Sequence, residues 1–193
     1  MKPKVAIIGH GSVGSALERG VERSGYEVRS TGKDAAAVAE AARWGDVVVL
    51  AVPFGALDDV MKSAGDALKG KVLVDVTNAL TPDHQLALGF TTSGAEELQK
   101  KARGASVVKA FNTVFAQNMA EGQVKGQKLS VFAASDDPAA KEKVLALGRD
   151  LGFDAVDAGP LKSARALEAL GFFQIQLGYG LKMGADIGFK LVH

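Results

Sequence analysis

Apolar residues along this chain gather in short dense runs, and the stretches between them carry a helical period. Val5–Ile8 (VAII), Asp46–Ala51 (DVVVLA) and Lys71–Thr77 (KVLVDVT) are apolar runs bounded by polar residues or glycine. Strands covered on both faces read this way. Val13, Ala16, Leu17 and Val21 recur at helical spacing, which predicts a helix over Ser12–Ser24 stopped by Gly25. The same reading predicts strands at Tyr26–Ser30, Ser106–Ala110, Leu129–Ala133 and Phe153–Asp157. It predicts helices at Ala35–Arg43, around Leu57–Leu68, from Ser93 to about Arg103, and from Pro138 to Leu151. Local chemistry supports the starts: Asp34 as a cap, Ser93 and Glu96 as a capping box, and Pro138 after Asp137 as a first-turn proline.

Strands alternating with helices imply an α/β fold with a doubly wound, mainly parallel sheet of Rossmann type. No composition shift divides the chain before Gly159. We therefore expect a dinucleotide-binding domain over residues 1–158. Residues 159–193, mostly helical in pattern, would form a C-terminal segment that completes an acceptor cleft. The alternation breaks at Asn78–Thr92, which holds Pro82, His84 and Gly89 and shows no clear period. Loops of this length are usually functional or mobile, and this one would cover part of a cleft at the strand ends.

The sharpest local signal is VAIIGHGSVGSAL, Val5 to Leu17, a strand followed by GxGxxG and a helix. Such a turn binds a dinucleotide: Gly9 permits the tight turn, Gly11 lets backbone approach a pyrophosphate, and Gly14 lets the helix pack on the strand. The helix N-terminus then offers free N–H groups to the phosphates, with Ser12 adding a hydroxyl and His10 and Val13 completing the turn. NAD-binding versions place Asp or Glu at the end of the second strand. Here VRSTGKD (28–34) puts Ser30 and Thr31 there, with Gly32 and Lys33 following. A hydroxyl and an ammonium attract a 2′-phosphate where a carboxylate would repel it, so NADP is favoured. Arg29, one residue off along a strand, points to the other face.

Three more strand ends reach the same rim. Ala51, Val52 and Pro53 are small or compact enough for a ribose to lie against the backbone. Thr77 with Asn78, and Asn112 with Thr113, each put an amide and a hydroxyl where a carboxamide or planar acceptor would need orienting.

Together these segments resemble the family of NADPH-dependent oxidoreductases of the deazaflavin coenzyme (coenzyme F-420). VVKAFNTVFA, FDAVDAGPLKSARALEAL and MGADIGFKL carry the likeness. KAFNT and DAGPLKSAR are also similar to the cytosolic domain of six-transmembrane metalloreductases, which pass hydride from NADPH to a flavin. The resemblance implies NADP(H) as cofactor, with Gly9, Gly11, Ser12, Val13 and Gly14 at the phosphates. Gly32 and Lys33 align with a Ser-Arg pair that holds the 2′-phosphate in archaeal members. Asn112 stands where those enzymes carry a His beside the nicotinamide, and Thr113 matches. The implied activity is hydride transfer between NADP(H) and a planar acceptor, a deazaflavin first. The alternatives are an NADPH-dependent reductase of a flavin, quinone or flavin-bound metal, and a non-catalytic NADP-binding redox sensor.

Composition narrows the partners. A net charge of +1 gives no sign of a nucleic-acid partner. The absence of cysteine removes disulfides, thiolate nucleophiles and cysteine metal sites. No apolar stretch approaches the roughly 20 residues of a membrane span, and the N-terminus does not read as a signal peptide. A cytoplasmic protein is expected.

None of the three histidines, His10, His84 and His193, is placed as a general acid. Ketone and imine reduction need a positioned proton donor, and only about 35 residues follow Asp157, too few for a second helical core. Transfer between two flat rings needs less. Gly180, Gly184 and Gly188 recur every four residues and would form one smooth helical face beside Phe172, Phe173 and Tyr179. A second copy would bury that face, and so could the sheet of the same chain; a homodimer is the expectation. Arg165 and Glu168 are spaced as a surface i,i+3 pair.

Overall fold

The computed structural model describes residues 1–83 and 85–192. The elements run β1 (Val5–Ile8), α1 (Ser12–Arg23), β2 (Val28–Thr31), α2 (Ala35–Trp44), β3 (Val47–Leu50), α3 (Leu57–Ala64), β4 (Val72–Asp75), α4 (Gly94–Lys101) and β5 (Ser106–Lys109). Then come α5 (Ala116–Met119), β6 (Gln123–Val124), β7 (Gln127–Lys128), β8 (Ser130–Ala133), α6 (Pro138–Asp150), β9 (Asp154–Asp157) and α7 (Ala164–Ile175). Five parallel strands form the central sheet in the order β2-β1-β3-β4-β5. A parallel pair, β8 and β9, joins its far edge through an antiparallel bridge between Lys109 and Ala134.

The apolar runs work as strands because alternate side chains enter two separate layers. Val5, Ile7, Val47, Val49, Val74 and Val108 pack with α1 and α6. Ala6, Ile8, Val48, Leu50, Leu73 and Val107 pack with α2, α3 and α4. Each buried Val, Leu or Ile stabilises by about 1.5–3 kcal/mol, whereas exposed pairs such as Lys69–Asp66 contribute little. The two apolar layers hold the strand ends in place. The caps behave as expected: Asp34 accepts from the Ala37 amide, Ser93 from Glu96, and Asp137 from Ala139 and Ala140.

Three expectations are corrected. The helix expected to reach Leu68 ends at Ala64, because Gly65 takes φ +49° and a 3₁₀ turn follows. The segment after Asp157 is helical only to Gly180, where a π-type turn (Gln176–Gly180) closes α7. Beyond it the chain runs irregularly beside β8, with the Ser130 amide donating to Phe189 O and the Leu191 amide to Ser130 Oγ. Gly180, Gly184 and Gly188 therefore share no helical face; glycine's low helix propensity prevails over the four-residue spacing. Finally, Arg165 and Glu168 do not pair. Arg165 grips Glu96 through two hydrogen bonds of 2.8 and 2.7 Å, and Glu168 is buried. His84 and His193 lie outside the described residues.

Candidate functional site

The registers align Ile8 with Leu50, Leu50 with Asp75, and Asp75 with Lys109. The turn after β1, Ala51–Pro53, Thr77–Asn78 and Asn112–Thr113 consequently open on one rim. Chain order reverses between β1 and β3, the kind of switch point where open α/β sheets take ligands.

The three turn glycines differ in why they are glycine. Gly9 has φ +121°, and a Cβ there would lie 2.1 Å from Ala51 O. A Cβ on Gly14 would lie 1.9 Å from Gly9 O. The chain's own packing requires both, and Ala51 and Val52 form the wall they pack against. Gly11 has ordinary extended angles, φ −71° and ψ −175°, and a Cβ there would meet nothing within 4 Å. None of the described residues requires glycine at this point. The open space lies in front of the α1 N-terminus, which no side chain caps, so its first N–H groups are available to an anion. His10 and Ser12 are exposed on the same turn, with Val13 half-buried behind them.

At the end of β2 the Ser30 hydroxyl is engaged by Glu18 of α1. Arg29 lies on the opposite face, its guanidinium 4.5 Å from the Trp44 ring centroid and 3.8 Å from Glu40. Thr31, Gly32 and Lys33 remain at the strand end. Lys33 is exposed and forms no ion pair with the described residues. Pro53 is exposed at the end of the neighbouring β3.

The two rim asparagines meet. Asn112 Nδ2 donates to Asn78 Oδ1 at 2.9 Å and to Leu167 O at 2.8 Å, and Asn78 Nδ2 returns a bond to Asn112 O at 3.2 Å. This fastens β4 and β5 to α7. Ser12, Val13, Asn78, Asn112, Phe115 and Gln174 help line one cleft of about 280 Å³. Phe115 and Tyr179 stand edge to face on its wall, ring centroids 5.4 Å apart. Tyr179 is the one titratable side chain among the described lining residues. Thr77 Oγ1 and Thr113 Oγ1 are buried beside the rim without a hydrogen-bond partner among the described residues, a state that normally calls for an explanation.

Sequence reasoning passed over the groups that brace this arrangement. Lys109, fully buried, holds Asp75 Oδ2 and Glu168 Oε1 at 3.0 Å each and donates to Thr77 O at 2.6 Å. Burial works against its charge, but the two carboxylates prevail and hold its pKa above the ordinary 10.5. Glu168 also accepts from the Gly94 and Ala95 amides, capping α4 from α7. The signal was present as opposite charges ending adjacent apolar strands, VLVD and SVVK. Gly171 went unnoticed too: a Cβ there would lie 2.4 Å from Asn78 Oδ1 and 2.9 Å from Asn112 O. Gly171→Ala is expected to destabilise by about 1–3 kcal/mol through this overpacking, read as a lower urea midpoint with unchanged slope.

Comparison with known proteins fits this geometry. Residues 4–79, from before β1 to just past Asn78, match the family model "NADP oxidoreductase coenzyme F420-dependent". The chain is similar to F420-dependent NADP reductases and to STEAP-type metalloreductases. A solved structure from Arthrobacter sp. FB24, described as a candidate F420-dependent NADP reductase, superposes with a TM-score of 0.90 at 29% identity. That alignment covers 99% of this chain and 100% of the other. The F420-dependent NADP reductase of Methanocaldococcus jannaschii is 30% identical over 137 residues, 68% of this chain and 61% of that protein. Metalloreductase STEAP3 of Rattus norvegicus is 32% identical over 181 residues, 87% of this chain. The chain spans 36% of the length of that metalloreductase. Among the described residues no helix is long and apolar enough to cross a membrane.

Proposed function

We propose that this protein transfers hydride between NADP(H) and a planar acceptor of the flavin or deazaflavin type. The observation that carries the reading is the empty approach at Gly11: a glycine the protein's packing does not need, opening onto an uncapped helix N-terminus. In this reading Gly9, His10, Gly11, Ser12, Val13 and Gly14 hold the pyrophosphate. Thr31, Gly32 and Lys33 face the 2′-phosphate. Ala51, Val52 and Pro53 lie along the ribose. Thr77, Asn78, Asn112 and Thr113 surround the nicotinamide end, and the partnerless hydroxyls of Thr77 and Thr113 fit a polar group there.

Both donors of the Asn112 amide are engaged within the chain. Asn112 therefore acts by positioning Asn78 and α7, not by donating to the ligand. NADPH supplies the hydride, and the chain's task is to hold two rings face to face and exclude other partners. Orientation of this kind supplies much of a rate. The Phe115–Tyr179 wall offers apolar surface to a flat ring. Tyr179 is the one potential proton donor among the described residues lining the cleft, and transfer between two flat rings needs no positioned acid beyond it. Phe173, Leu181 and Met183, all more than half exposed, would be covered in a homodimer, which we also propose, within the cytoplasm.

Turnover tests the proposal. Purified protein and NADPH are mixed without oxygen with a deazaflavin or FMN, with NADH controls. Bleaching of the ring in step with NADPH oxidation is expected, and NADPH binding without reduction of either ring would favour the sensor. For cofactor choice, Lys33→Glu is expected to lower the NADPH-to-NADH affinity ratio by about tenfold, since it replaces attraction for a 2′-phosphate with repulsion. An unchanged ratio would leave Lys33 as surface only.

A further inference from the structure

Two glycines press α7 against the rim of the cleft. A Cβ on Gly171 would lie 2.8 Å from Asn112 Nδ2. One on Gly178, in the turn that closes the helix, would lie 2.7 Å from Phe115 Cζ. Gln174 falls between them, three residues after Gly171 and four before Gly178, and this spacing keeps all three on one face. Between its two close contacts with the rim, the helix therefore sends one long polar side chain to the wall of the cleft.

The Gln174 amide is unpaired. The residue is 2% exposed, yet its Nε2 has no hydrogen-bond partner among the described residues, and its Oε1 accepts no bond from them. A buried polar group in this state destabilises the fold, and an apolar side chain of similar shape would not. The other amides of the lining differ. Asn78 and Asn112 bond each other, and Gln117 is exposed to solvent. The described lining holds no carboxylate, lysine or arginine, so the group that Gln174 suits is neutral as well as polar.

We propose that Gln174 recognises the imide edge of the acceptor ring and restricts the cleft to rings that carry one. Flavins and 5-deazaflavins share this edge, a carbonyl, an N–H and a second carbonyl in a row. A primary amide is its complement: the N–H of Gln174 donates to a ring carbonyl, and its C=O accepts from the ring N–H. Rotation about the last side-chain bond turns the amide to suit. Such a pair matters most away from water, where an unpaired partner is costly. A quinone has carbonyls without the N–H and satisfies half of the amide. The inference rests on the reading of the cleft as the site of hydride transfer.

The test compares lumiflavin with 3-methyllumiflavin, which differ by one methyl group on the imide nitrogen, and the two corresponding 5-deazaflavins. Binding is measured by quenching of ring fluorescence in the presence of NADP+, and turnover with NADPH. For the wild-type protein, the Kd and KM of each unmethylated ring should lie about tenfold below those of its methylated partner, the size of a lost hydrogen bond with its donor left unpaired. In Gln174→Leu that ratio should fall close to one while the Kd of NADPH alone stays unchanged. Gln174→Met is run beside it, and both should fold, since each removes a buried unpaired amide. Equal constants for the two rings, or a ratio that both variants leave untouched, would overturn the inference and leave hydride transfer standing. So would weaker binding of NADPH alone to both variants, which would assign the amide to the nicotinamide instead. Failure of the wild-type protein to bind or reduce any of the rings would overturn both readings.

Discussion

Gly11→Val is expected to weaken NADPH binding by about 100-fold or more, equivalent to roughly 2.7 kcal/mol, while the protein stays folded. Valine is comfortable at φ −71° and ψ −175°, and its Cβ would enter open space. The folded protein loses only the modest preference of a helix N-cap for glycine over valine, about 1 kcal/mol at most. A bound pyrophosphate, however, would have to occupy the volume of the new side chain. Gly14→Ala serves as the contrast. Its Cβ would lie 1.9 Å from Gly9 O, a backbone atom that cannot step aside, so this variant should lose stability before it loses affinity selectively. Fluorescence titration with NADPH, paired with a thermal melt, separates the two. Gly11→Val with unchanged affinity would remove the turn from the nucleotide site.

Lys109→Met is expected to destabilise the protein by about 3–5 kcal/mol, because it leaves two buried carboxylates without their counter-charge. Methionine fills similar space, so the loss is electrostatic. Replacing the whole cluster, Lys109→Met with Asp75→Asn and Glu168→Gln, should recover much of the stability, since uncharged groups of similar volume leave no unpaired ion. Equilibrium urea unfolding of the single and triple variants measures this. A single variant as stable as the parent would show that the cluster does not brace the rim. The pH dependence has a definite sign. Lys109 holds its proton more tightly folded than unfolded, with its folded pKa raised above 10.5. Its contribution is therefore complete below pH 10.5 and disappears as pH climbs through the higher folded value. The parent should lose stability in strong alkali over a range where Lys109→Met does not.

The sheet was legible because each central strand is a run of apolar residues too short for a helix and bounded by turn chemistry. The nucleotide turn was legible because its three glycines follow such a strand and open a helix. The β6–β7 hairpin escaped because its two strands are two residues long and polar, and its turn centres on Lys125, not asparagine. The C-terminal segment was misread because residue spacing cannot report that the backbone of Phe189 hydrogen-bonds β8 instead of its own helix. The bracing of the cleft depends on residues far apart in sequence: Glu168 reaches Gly94, and Gly171 makes room for Asn78. Local patterns carry no record of such pairs. Arg165 and Glu168 illustrate the point, since a spacing that suits a surface pair conceals two separate long-range partners.

In the proposed reaction hydride passes directly from NADPH to a flat ring held in the cleft beside Asn78 and Phe115. Its most direct test is a single turnover with NADPH carrying deuterium at the transferable C4 position, and with a 5-deazaflavin that keeps the hydride on carbon. Direct transfer leaves deuterium on the reduced ring and slows the transfer step. Reduction with no deuterium on the ring, or no reduction under conditions where NADPH is bound, would contradict it.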